Sequence, residues 1–145
     1  MKIALGSDHA GFELKEAIKA YLTEKGYEVF DEGTHSPESV DYPIYAEKTA
    51  NDVVSGKAEF GILCCGSAEG ISIAANKVKG IRCGIGYNDE VTGLLRMHNN
   101  ANMVAFAGRF METADVLKRV DIFLSTEFMG DKHLRRVNMI ADLEK

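Results

Sequence analysis

A chain of 145 residues with 46% hydrophobic and 27% charged side chains has the size and composition of one globular domain, which excludes a disordered chain. The formal net charge of −5, from 17 basic and 22 acidic side chains, disfavours nucleic acid and anionic membrane surfaces as partners. Three cysteines without zinc-type spacing, an N-terminus that turns polar at Ser7, and no apolar run near the ~20 residues of a membrane span predict a soluble, reduced, cytoplasmic protein.

Ile3 to Leu5 is a short apolar run stopped by Gly6, and Phe12, Leu14, Ala17, Ile18, Tyr21 and Leu22 recur at mostly helical spacing until Gly26. Tyr27 to Phe30 reads as a second strand. A polar loop from Asp31 to Tyr42 follows, then Pro43, which suits the first turn of a helix. Tyr45, Ala46, Thr49, Ala50, Val53 and Val54 form the next stripe, closed by Gly56. Phe60 to Cys65 is apolar throughout, as expected of a central parallel strand covered on both faces. Gly66 to Gly70 is a tight turn. Ile71, Ala74, Ala75 and Val78 then mark a helix, and Ile81 to Gly86 a fourth strand. Val91, Leu94, Leu95 and His98 share one helix face, which predicts His98 at the end of a buried stripe. Met103 to Ala107 is a fifth strand, and Ala114 to Phe123 a helix. A last helix, over about 130–143, carries Leu134, Val137, Ile140 and Ala141. This alternation predicts a single α/β domain over 1–145, a three-layer αβα sandwich around a Rossmann-like, doubly wound, five-stranded parallel sheet. In such sheets ligands bind beyond the carboxyl ends of the strands.

The residues after each strand therefore matter most. Cys65-Gly66-Ser67-Ala68-Glu69-Gly70 joins the buried strand to a helix start, where free amides favour a thiolate at Cys65 and Ser67 is placed to relay a proton. The bland alternative is a pair of small core residues, favoured for Cys64 more than for Cys65. Asp8 next to His9 either orients the imidazole or caps the following helix. His98 ends a helix, where a structural role is as ready an explanation as a chemical one. Lys132 and Arg136 lie four apart in the one basic cluster, suited to a phosphate or simply a solvated face, and Arg109 after the fifth strand is a third cation for the same purpose. Dinucleotide, Walker, nucleophile-elbow and metalloprotease motifs are absent.

Several of these segments together resemble the ribose-5-phosphate isomerase B family. They are Gly6-Ser7-Asp8-His9-Ala10-Gly11-Phe12, Gly33-Thr34, Val40-Asp41-Tyr42-Pro43, Gly61 to Ser67, Gly70 to Lys77, Arg96 to Asn102 and Gly130 to Val137, in order along nearly the whole chain. The resemblance implies an aldose–ketose isomerase without metal or organic cofactor, acting on ribose 5-phosphate and ribulose 5-phosphate through an enediolate. The same family includes isomerases of allose 6-phosphate and galactose 6-phosphate. By the resemblance, Cys65 is the base between C1 and C2, Ser67 assists proton movement between the oxygens, and His98 helps open the sugar ring. Gly66 and Gly70 bound the turn whose amides face the enediolate. His9, Arg109, Lys132 and Arg136 hold the phosphate, while Asp8, Tyr42 and Asn99 contact substrate. The partners implied are a phosphorylated sugar and a second copy of the chain, as homodimer or homotetramer, with the C-terminal helix reaching the partner subunit.

The chain departs from the family's pattern at Ala68, where glycine is usual, at Glu69, where an apolar residue is usual, at Lys132 in place of arginine, and at Asn100, where aspartate is common. These departures motivate two alternatives, an isomerase of a six-carbon sugar phosphate and a non-catalytic sugar-phosphate binding protein. A thiol redox protein is a more distant reading.

Overall fold

A computed structural model describes residues 1–145. Five parallel strands, β1 (Lys2–Ser7), β2 (Glu28–Asp31), β3 (Phe60–Cys65), β4 (Cys83–Ile85) and β5 (Met103–Ala107), form one sheet in the order β2-β1-β3-β5-β4. Six helices accompany them: α1 (Phe12–Glu24), α2 (Tyr42–Val54), α3 (Glu69–Ala75), α4 (Asp89–Met97), α5 (Thr113–Ser125) and α6 (Lys132–Asp142). The α/β architecture expected from the alternation is the one observed.

Alternation along the strands divides two cores. Ile3, Leu5, Ile62, Cys64, Val104 and Phe106 face α1 and α5, joined by Ile18, Leu22, Val120 and Phe123. Leu63, Cys65, Met103 and Ala105 face the other way, against Ala46 and Ala50 of α2 and Ile71 and Ala75 of α3. The adjacent cysteines thus point to opposite layers, as the two-residue period of a strand requires.

After β1 the chain builds β2 on one side, then crosses to place β3 on the other. The carboxyl ends of β1 and β3 are therefore a topological switch point, where the loops diverge and leave a crevice. Ser7 pairs with Cys64 in register, so Asp8 and Cys65 leave the sheet side by side.

Three expectations are corrected. The second strand runs one residue later than Tyr27–Phe30. The fourth is shorter than Ile81–Gly86, because an edge strand has one neighbour and the Arg82 amide turns to the Asn102 Oδ1 instead (2.8 Å). On α4 the buried residues are Thr92, Gly93 and Arg96, while Val91, Leu94, Leu95 and His98 are only half-buried. Arg96 takes the inward place because its guanidinium lies over the rings of Phe60 and Phe123 (4.8 and 5.9 Å to the centroids). It also donates to the carbonyls of Ala101 (2.7 Å) and Thr126 (3.2 Å).

Candidate active site

Cys65 closes β3, and its turn is held from the neighbouring strand. The Gly108 amide donates to the Cys65 carbonyl (2.8 Å), and the Arg109 amide to the Gly66 carbonyl (3.1 Å). These bonds bring the segment after β5 over the turn, and the Arg109 guanidinium lies so close to Gly66 that an added Cβ there would stand 3.2 Å from Nη1. From β1, the Asp8 amide donates to the Cys64 carbonyl (3.3 Å), and the Asp8 Oδ1 accepts from the Gly11 amide (3.0 Å). The capping reading of Asp8 is corrected: the N-cap of α1 is Gly11, which has no side-chain cap, and Asp8 Oδ1 instead closes the turn that precedes the helix, leaving Oδ2 over. His9 is fixed by the polar loop: its Nδ1 accepts from the Val40 amide (3.2 Å), and an imidazole so engaged in neutral form carries its proton on Nε2. Tyr42, the first residue of α2, lays its ring where a Gly70 side chain would be; a Cβ there would approach the Tyr42 ring to 2.6 Å.

Asp8, His9, Tyr42, Cys65, Gly66, Ser67, Gly70 and Arg109 consequently line one open cavity of about 420 Å³, together with Ala10 and Phe110. The last two were not singled out from sequence. Their only signal was adjacency to strand-end residues, and in Phe110 an apolar ring left 78% exposed. A neighbouring opening of about 760 Å³ shares Ser67 and Phe110 and takes in Glu69 and Tyr87. Glu69 thus lines this second opening rather than the one that holds Cys65 and Arg109. The larger space holds one carboxylate, Glu69, and no cation, whereas the smaller one brings Cys65, His9 and Arg109 together.

Among the cysteines, burial pushes the thiol of Cys64 far up and that of Cys83 up to about 12, so neither ionises near neutrality. Cys65 is the cysteine that lines the cavity. The turn itself is tight: Ala68 adopts a left-handed backbone (φ 68°), and Ser67 Oγ accepts from the Glu69 amide (3.3 Å). Helix α3 has only seven residues, so no long helix dipole stands behind the turn.

His98, Asn99, Lys132 and Arg136 are elsewhere. Helix α4 runs back against the parallel strands, so its end and the loop to β5 lie at the amino edge of the sheet. There the Arg82 Nε donates to the Asn99 carbonyl (3.2 Å), just before β4. Helix α6 starts beside the same corner, where the Met129 amide donates to the Met97 carbonyl (3.1 Å) and the His133 ring stacks on His98. Eight of the expected site residues gather at the carboxyl edge and four at the amino edge. Within one chain the two groups do not meet.

Known proteins match this chain along its length. The model of a family described as ribose/galactose isomerase matches residues 3–140. The ribose-5-phosphate isomerase B of Escherichia coli is 44% identical over 144 residues, covering 99% of this chain and 97% of the relative. That of Mycolicibacterium paratuberculosis is 40% identical, covering 100% and 92%. Among solved structures, a ribose 5-phosphate isomerase from Thermotoga maritima superposes with a TM-score of 0.96 at 50% identity, covering 97% of each chain. A ribose-5-phosphate isomerase B from Mycoplasma genitalium with bound ribulose-5-phosphate gives 0.94 at 36% identity, covering 99% and 95%. With this breadth of match added to a switch-point cysteine, its glycine turn and a facing arginine, the chain belongs to the ribose/galactose isomerase family.

Proposed function

We propose that this protein interconverts D-ribose 5-phosphate and D-ribulose 5-phosphate, with Cys65 as the base. The observation that carries the reading is the convergence of Cys65, the Gly66–Gly70 turn, His9 and Arg109 on one cavity. Isomerisation of an aldose to a ketose needs a base between C1 and C2, donors for the developing oxyanion, and an anchor that fixes the carbon chain. In the open-chain aldose, Sγ of Cys65 takes the proton from C2 and returns it to C1. The proton on O2 passes to O1 with the Ser67 hydroxyl as relay; its oxygen already accepts from the Glu69 amide, which leaves its hydrogen to donate. The turn amides stabilise the enediolate oxygen between these steps. Asp8 and Tyr42 bind sugar hydroxyls.

The active unit is an assembly in which a second copy lays its amino-edge group over this cavity. His98 and Asn99 of each copy then face the other's sugar, His98 assisting ring opening, and Lys132 and Arg136 join His9 and Arg109 on the phosphate. Helix α6 supports this arrangement: it buries only His133 and Val137, and leaves Leu134, Met139, Ile140 and Leu143 exposed. A two-fold operator produces two such composite sites per dimer. We place the protein in the cytoplasm, in keeping with its three free cysteines. No helix is long and apolar enough to cross a membrane.

Purified protein given a panel of aldose 5- and 6-phosphates in deuterated water is expected to convert ribose 5-phosphate with solvent deuterium entering the sugar. Cys65→Ala is expected to lose about a thousandfold in rate. Normal turnover by Cys65→Ala removes the assigned base, preference for a hexose phosphate moves the assignment within the family, and binding without exchange makes the protein a non-catalytic binder.

A further inference from the structure

The corner where α4 ends and α6 begins contains a contact that the site residues above do not account for. The ring of His133 lies face to face with that of His98, the centroids 4.1 Å apart and the planes 12° from parallel. His133 is buried on a helix whose adjacent positions are exposed, and its stacking partner His98 is half-buried at the cap of α4. Stacked aromatic pairs contribute about 0.5–1.5 kcal/mol beyond area burial. For a side chain choosing among staggered rotamers, that is a several-fold to roughly tenfold bias toward one of them.

The electrostatics point the same way. Burial, then the neighbouring His98, Lys132 and Arg136, hold His133 below the ordinary histidine range, with Asp131 opposing them. These surroundings favour the neutral form of His133, which suits a backing surface. Filling volume alone would be served by an aliphatic residue at this buried position.

We propose that His133 is a positioning residue for ring opening: its imidazole holds the His98 ring in the orientation that faces the sugar. The inference rests on the reading that His98 assists ring opening. Helix α6 then carries two functions on one turn, the backing ring of His133 and the cations Lys132 and Arg136 beside it.

Turnover numbers at saturating substrate, measured in the two directions, test this, because the equilibrium constant fixes the ratio of the two kcat/KM values but not the ratio of the two kcat values. Ribose 5-phosphate is mostly a closed furanose in solution and needs opening, whereas ribulose 5-phosphate carries its phosphate on O5 and cannot close that ring. His133→Ala is expected to slow the aldose-to-ketose direction about tenfold while the ketose-to-aldose direction falls less than about threefold. His133→Phe, which keeps a flat ring, is expected to restore both directions to within about threefold of the unaltered protein. His133→Gln, which keeps side-chain volume without a ring, should follow His133→Ala and stands in for it if that variant fails to fold. Equal losses in both directions, no loss at all, or failure of His133→Phe to rescue overturns the inference. His98→Asn separates the two layers: if it leaves the ratio of the directions unchanged, the ring-opening role of His98 falls. If His98→Asn shifts the ratio and His133→Ala does not, only the positioning role falls.

Discussion

Ala68 shows how a single backbone angle explains a departure from a family's pattern. Its φ of 68° is the left-handed conformation that glycine adopts freely, and its methyl is fully buried between β3 and α3. An L-residue there costs about 1–2 kcal/mol. Against that, alanine restrains the unfolded chain by about 0.5–1 kcal/mol relative to glycine. Its buried methyl contributes about 0.8 kcal/mol more. These contributions nearly cancel, so Ala68→Gly is expected to change unfolding free energy by less than about 1 kcal/mol. Ala68→Val, branched at a positive φ in a filled site, is expected to lose more than about 2 kcal/mol. Denaturant titration of the two variants checks both values, and a large gain on introducing glycine would show the balance to be wrong. Ala68 thus holds the left-handed backbone conformation that a glycine adopts freely.

At the scale of elements, the buried ion pair between α1 and β2 is the most exposed to perturbation. Lys15 is 1% exposed and donates to both Asp31 oxygens (2.9 and 2.8 Å), while Lys19 and the Gly33 amide also donate to Asp31 (3.0 Å each). Burial pushes the Asp31 carboxyl up, but the hydrogen bonds from Lys15, Lys19 and Gly33 outweigh it, and its pKa ends below the usual carboxylate range. A folded-state pKa below the unfolded one means the folded chain binds fewer protons in that interval. The contribution is fully present above the unfolded value near pH ~4 and is lost as pH falls through the folded one. Asp31→Ala leaves Lys15 buried and uncompensated and is expected to destabilise by about 3 kcal/mol. It should also flatten the acid limb of the stability profile. Thermal melts between neutral and acid pH read both effects, and an unchanged acid limb would remove Asp31 as its source. None of this was visible in the sequence, where Lys15 sits among ordinary helix charges.

For the whole molecule, the separation of the site residues onto opposite edges of the sheet makes a sharp expectation. If each composite site takes Cys65 from one copy and Arg136 from the other, Cys65→Ala and Arg136→Ala are each nearly inactive alone. Refolded together in equal amounts, half of the dimers are mixed, and each mixed dimer has one intact site and one doubly altered. About a quarter of the original activity should therefore return. No recovery on mixing means that both residues act within a single copy, contrary to the separation seen in the fold.

By itself the sequence determined the strand–helix alternation and the switch-strand cysteine with its glycine turn, because these are local: a run of apolar residues, a turn and a helix start are contiguous in the chain. It also located His98, Lys132 and Arg136 as candidates, and the family resemblance supplied their roles. The order of strands, the inward-facing Arg96 and the stack of His133 on His98 were decided only by the tertiary structure. The physical reason is that periodicity records which side chains are apolar, not which stems pack on which rings. Nor does it record at which edge of a sheet a returning helix delivers its last residues.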